Sequence, residues 1–231
     1  MLTKILLAIL VLWRIYRFVR RTRAPMLSPR KHWALALAQP FVEATQFAGF
    51  ASPAADSVNE ATRAQFRAQL LHQMGLRTDA SDEDARQHLA RTFESHWYRA
   101  DLNDLLAADD PHAALAFACA RMAFFARVVM LLQWVEPDIA WRVLLLNAQR
   151  AQDCFASWQD FGQAFIAGRR QWIAAFRADP FGKAFDDGAL AGWLNKRGAW
   201  QKLPWPGLAA FCPEPAVAAA RAGTVNVNSI A

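Results

Sequence analysis

Between Ala113 and Val135 the chain is apolar on nearly every side of the helix its composition favours, and the two charges in that stretch are Arg121 and Arg127. Such a helix is stable in two settings, a bilayer or the middle of other helices, and this choice constrains the fold more than any other feature. Crossing a membrane would leave both arginines at mid-helix, at roughly 2.5–3.5 kcal/mol each. A central helix wrapped by others avoids that cost, provided each guanidinium finds partners inside the protein, since stripping a buried charge of its partner costs about 3–5 kcal/mol. The spacing of Arg121 and Arg127 puts them about 120° apart around the helix, so they do not form one site unaided. An internal tie to Asp153 or Glu94 is the favoured reading of Arg121, with an anionic ligand as the alternative.

The flanking sequence supplies the surrounding helices. Trp33, Leu37, Phe41, Ala44 and Phe47 recur at three- and four-residue steps and predict one helix kinked at Pro40. After a turn-rich connection over 49–57, Val58, Phe66, Leu70 and Met74 restore helical spacing, and Gly75 is a suitable C-cap. Ser81 with Asp84 is a variant of the capping box, with Ala85, Leu89, Phe93 and Trp97 facing inward. Asp110-Pro111 starts the apolar helix, an N-cap followed by proline at the first helical position. Glu136-Pro137 restarts the chain, and Trp141, Leu144, Leu145, Ala148 and Phe155 give one further inner face. Ser157 and Asp160 cap the last strong helix, whose stripe is Trp158, Phe161, Phe165, Gly168 and Trp172. Glycine inside a helix costs about 1 kcal/mol relative to alanine, so Gly168 on that stripe predicts close approach of a second helix, the one bearing Arg121. Beyond Pro180, four glycines and the Leu203-Pro-Trp-Pro-Gly run predict irregular chain. No repeat and no long alternating stretch is present. The expectation is an all-α protein: a single multi-helix globular domain over 32–222 with an irregular C-terminal segment, preceded by a membrane-anchoring helix over 1–24 and a linker over 25–31, and followed by a polar disordered tail over 223–231.

The leader carries the membrane expectation. Ile5 to Trp13 is an unbroken apolar run, followed by Arg14, Arg17, Arg20, Arg21 and Arg23. Trp, Tyr and Arg occupy the place where a signal peptide needs small residues, so cleavage is not expected. As a helix, Leu2 to Val19 is roughly 27 Å long against a hydrocarbon core of about 30 Å, and spanning requires Arg14 and Arg17 to snorkel. Alternatively Arg14, Arg17 and Arg21 share one face of a helix lying in the interface. Both arrangements hold the following chain on the cytoplasmic side, because the basic residues follow the apolar run. These five arginines then contact an anionic lipid surface, each adding up to about 1 kcal/mol.

Charge and cysteine usage exclude other classes. The net charge is +6, but residues 1–31 hold eight basic groups and no acid, leaving 18 basic and 20 acidic groups, a net of −2. A nucleic-acid binder needs a basic stripe on its folded domain, and none is found here. Cys119, Cys154 and Cys212 are widely spaced and odd in number, which supports neither a zinc site nor a disulfide framework. No metalloprotease helix, nucleophile elbow or phosphate loop is present, and no metal or other cofactor is implied. His32, His72, His88, His96 and His112 are scattered, and His96 beside Phe93 and Trp97 reads as a histidine at a core edge. Cys154 is the best nucleophile candidate, because it precedes a capped helix start whose dipole favours a thiolate. A small buried hydrophobe is the plainer reading of the same residue.

From Ala151 to Trp172 the sequence runs through Ser157-Trp158, Phe161, Phe165, Gly168-Arg169 and Trp172. This pattern, with Arg121 in the preceding apolar helix, resembles the bacterial domain-of-unknown-function family numbered 1266 over about residues 110–175. Members of that family often carry an acidic residue one turn before the arginine, where this chain has Phe117 and Ala118. The resemblance implies a helical fold, with Ser157, Trp158, Phe161, Gly168 and Trp172 as its structural motif, and no mechanism. Two function classes follow from the sequence. The favoured one is a membrane-tethered interaction module, an adaptor or immunity-like partner of another protein, at the cytoplasmic face of a bacterial inner membrane. The other is an enzyme with an unfamiliar site near Arg121, Cys154 and Arg169, the three candidate ligand- or partner-binding residues. A pocket with convergent polar groups favours the enzyme and a flat apolar patch favours the module.

Overall fold

A computed structural model describes residues 27–53, 58–97, 109–176, 185–195, 198 and 200–205. The expected membrane helix and its arginines, the polar tail and Cys212 lie outside the described residues. Every regular element among those described is helical: α1 (Pro29–Ala36), α2 (Gln39–Thr45), α3 (Glu60–Gln73), α4 (Asp82–His96), α5 (Pro111–Leu131), α6 (Pro137–Cys154), α7 (Trp158–Phe176) and α8 (Asp187–Leu194), closed by a 3-10 turn at Trp200–Lys202.

α5 is the central helix. Seventeen of its residues are buried, from Ala113 to Leu131, including Arg127. It is long and apolar enough to cross a membrane, but almost all of it is already covered by protein, so its all-round apolar surface serves a core. Its most extensive contacts are with α7 and α6, and α2 and α1 add to the cover. α6 returns antiparallel to it: Asn147 Nδ2 donates to Cys119 O at 2.8 Å, and His112 Nε2 lies 3.2 Å from Cys154 O.

The caps fall where the sequence puts them. Asp110 accepts from His112 N at 2.9 Å at the head of α5. Ser81 and Asp84 form the reciprocal capping box of α4, and Gly75 takes the left-handed conformation (φ 71°) after α3. At α7, Ser157 Oγ accepts from Asp160 N at 3.0 Å while Asp160 reaches back to Ala156 N at 2.8 Å.

Two expectations are corrected. The segment from Trp33 to Phe47 is two helices rather than one kinked at Pro40. Pro40 lies in the first turn of α2, where its missing N–H costs nothing, and Leu37-Ala38 forms the break. The chain beyond Pro180 is also less irregular than its glycines suggest. Asp186 accepts from Ala189 N at 2.9 Å and caps α8, which buries Leu190 and Trp193. The following segment is pinned by tryptophans: Trp158 Nε1 donates to Leu203 O at 2.6 Å, Trp200 Nε1 to Ala36 O at 2.8 Å and Trp205 Nε1 to Phe155 O at 3.0 Å. Trp158 stacks on Trp200 with ring centroids 4.9 Å apart. Composition signals turns here, but long-range ring packing and indole hydrogen bonds order the segment.

Candidate functional site

Phe117, Arg121, Phe124 and Phe125 follow i, i+4, i+7, i+8 spacing and so share one side of α5. That side borders a cavity of about 720 Å³, also walled by Phe41 of α2, by Phe66, Leu70, His72 and Gln73 of α3, by Thr78, and by Arg169 and Trp172 of α7. Ligand sites span about 300–1,000 Å³, so the space suits a small organic molecule. Its rings hold one another in place. Phe41 lies 6.0 Å from Phe117 and 5.7 Å from Phe124, Phe66 lies 5.7 Å from Phe124, and Phe117 lies 5.7 Å from Trp172. His72, Gln73 and Thr78 are exposed and make a polar mouth.

Two arginines border this space. Arg121 is half-buried, with Cζ 5.5 Å from the centroid of the Trp172 ring. With the Gln73 carboxamide turned so that its oxygen faces Arg121, it accepts from Nε and Nη2 at 3.1 Å each. The carboxylates offered for Arg121 are engaged elsewhere: Glu94 pairs with Arg142 at 2.9 Å, and Asp153 accepts from Gln149 at 2.8 Å. Arg169 is 6% exposed, with Cζ 4.4 Å from the Phe185 ring centroid. Its neighbour Arg170 is exposed.

Gly168 explains why the two arginines share a cavity. A Cβ there would overlap the Ala113 carbonyl of α5 and lie 3.0 Å from Phe117 Cβ. Only glycine lets α7 approach α5 this closely, and Arg169 and Trp172 follow it toward the wall that holds Arg121. The rest of the motif is structural: Ser157 caps α7, Trp158 joins the tryptophan cluster, and Phe161 is fully buried.

Arg127 belongs to another environment, as its angular separation from Arg121 predicts. It is 3% exposed; Nε donates to Phe50 O at 2.8 Å and Nη2 donates to Ser52 O. Burial lowers its pKa to about 10, which leaves it charged at neutral pH. It clamps the turn after α2 onto the core.

Cys154 does not join the arginines. It ends α6, exposed, beside His112 at the head of α5, whereas Arg121 lies nine residues on, roughly 13 Å along that helix. Of the three residues grouped from the sequence, Arg121 and Arg169 border the same cavity and Cys154 does not line it. Cys119 is fully buried, and burial raises its thiol to about 11, so it stays protonated and inert. His96 is exposed rather than at a core edge, with Nδ1 2.7 Å from Ser95 Oγ. Among the described residues no group of three His, Cys, Asp or Glu side chains could hold a metal ion. Sequence reasoning missed Gln73 and the phenylalanine walls. The α5 spacing of Phe117, Arg121, Phe124 and Phe125 was the available signal, but on a helix apolar all round it does not stand out from core.

Fold and site together define an all-helical domain built round one buried helix, with a ring-walled cavity bordered by two arginines. The family model described as "Protein of unknown function (DUF1266)" matches residues 36–205, and the chain belongs to that family. The match takes in every described wall of the cavity, from Phe41 to Trp172. No curated protein and no solved structure gives a match.

Proposed function

We propose that this chain is a membrane-held binding domain whose Arg121/Arg169 cavity receives the anionic end of a small organic ligand. The observation that carries the reading is the presence of two arginines, Arg121 and Arg169, on one aromatic-walled cavity. A guanidinium fork offers paired donors to carboxylate or phosphate oxygens, and such charge-assisted bonds strengthen away from bulk water. Neither described cysteine lines the space, which favours binding over nucleophilic chemistry. Leu146, 50% exposed, is the single large hydrophobic side chain exposed among the described residues, so a broad apolar docking face for a protein partner has little support there. The membrane half of the proposal rests on the arginine-rich leader, which would hold the cavity near the cytoplasmic face of a bacterial inner membrane.

The test uses the fluorescent anion 8-anilinonaphthalene-1-sulfonate as a probe on the full chain. Arg169→Gln and Arg121→Gln are expected to keep the cooperative melt and weaken the dye about tenfold or more, while Arg170→Gln leaves it unchanged. Equal effects at Arg169 and Arg170, or dye binding indifferent to all three, would contradict the proposal. A collapsed melt with Arg169→Gln, joined to unchanged dye affinity with Arg121→Gln, would make the arginines structural ties.

A further inference from the structure

Resting on the binding reading above, we infer that the ligand is a flat aromatic carboxylate, with its ring system between the phenylalanine walls and its carboxylate at Arg121 and Arg169. The wall chemistry discriminates among anions of similar size. Phe41, Phe66, Phe117, Phe124, Phe125 and Trp172 line the cavity, against Leu70 as its one large aliphatic side chain among the described residues. Sites that take flexible chains rely on adaptable side chains such as methionine, which re-pack around the guest. Here the rings are locked by contacts with one another at centroid separations of 5.7–6.0 Å, and Phe125 is held from behind by Phe93 at 6.3 Å. Fixed ring faces and edges gain most from another ring, through offset or edge-on contacts that add to plain area burial.

The helix placement around the site points to a carboxylate rather than a phosphate. Arg121 sits at the middle of α5 and Arg169 within α7, so among the described residues neither arginine is joined by the backbone N–H groups that a helix start offers to phosphate. The α3 residues nearest the mouth, His72 and Gln73, belong to that helix's last turn, whose negative dipole end disfavours a dianion. A planar carboxylate matches the guanidinium fork with a single negative charge.

Titration calorimetry of the full chain with four probes decides the matter: 2-naphthoate, its neutral amide 2-naphthamide, decanoate and 2-naphthyl phosphate. The inference predicts that 2-naphthoate binds about tenfold or more tightly than each of the others, and that Arg169→Gln removes its advantage over the amide while sparing the amide itself. Decanoate binding as well as 2-naphthoate, with both weakened by Arg169→Gln, would overturn the aromatic preference and leave the anion-binding reading standing. Tighter binding of the phosphate would overturn the carboxylate. Amide and acid of equal affinity, or neither acid bound at millimolar concentration, would bring down the anion-binding reading and this inference together.

Discussion

Arg127 and Arg121 occupy one helix and carry the same charge, yet their surroundings assign them different work. Arg127 is sealed in the core, where it donates to the Phe50 and Ser52 carbonyls, and Lys31 and Arg127 both lie over Trp141, at 4.6 and 5.7 Å from its ring centroid. Arg127→Ala removes the guanidinium donor of the buried Phe50 carbonyl and the tie to Ser52, and an unpaired buried group costs about 1–3 kcal/mol. A melting temperature lower by about 5–10 °C is expected by differential scanning calorimetry, and an unchanged melt would show that the turn after α2 holds without its clamp. The sequence makes legible that the two arginines diverge, because their spacing is read directly on a helical wheel. It cannot show which of them meets a carbonyl and which a cavity. That depends on the turn at 46–53 and the last turn of α3, segments far away in the chain whose docking no local pattern records.

At the scale of elements, helix starts are the best-determined features, since Ser81 with Asp84, Asp110 and Ser157 with Asp160 act through bonds a few residues long, and Pro137 fits the first turn of α6 without any side-chain cap from Glu136. α8 escapes sequence reasoning because its glycines obscure a cap at Asp186 and a stripe of two buried residues, Leu190 and Trp193. Two glycines give opposite expectations. Gly168 lies against the Ala113 carbonyl, and Gly168→Ala must push α5 and α7 apart at a cost of about 1–3 kcal/mol, with Gly168→Leu costing more. Gly192, within α8, has nothing within 4 Å of an added Cβ, so Gly192→Ala should stabilise by up to about 1 kcal/mol. Chemical denaturation of the two alanine variants checks the pair. Matching signs would mean that the α5–α7 contact at Gly168 is looser than described. The same displacement moves Arg169 away from Arg121, so Gly168→Ala should also lose affinity for anionic probes.

For the whole molecule, the all-α class and the burial of α5 are readable from one observation, two arginines in an otherwise membrane-like helix. The cavity is not, because its walls come from four helices and a turn. The body carries its own core and near-neutral charge, so deleting residues 1–24 should move the protein from membranes to the soluble fraction with its cooperative melt intact. Aggregation of the truncated chain would make the leader part of the fold. The central claim, a membrane-held domain that binds an organic anion between Arg121 and Arg169, is tested most directly by native mass spectrometry. Full-length protein extracted from membranes in mild detergent should carry extra mass of small-molecule size that denaturation releases. The Arg121→Gln/Arg169→Gln double variant, with a normal melt, should lack it. A wild-type protein with only the mass of its chain, or a bound species that survives the double substitution, would contradict the account.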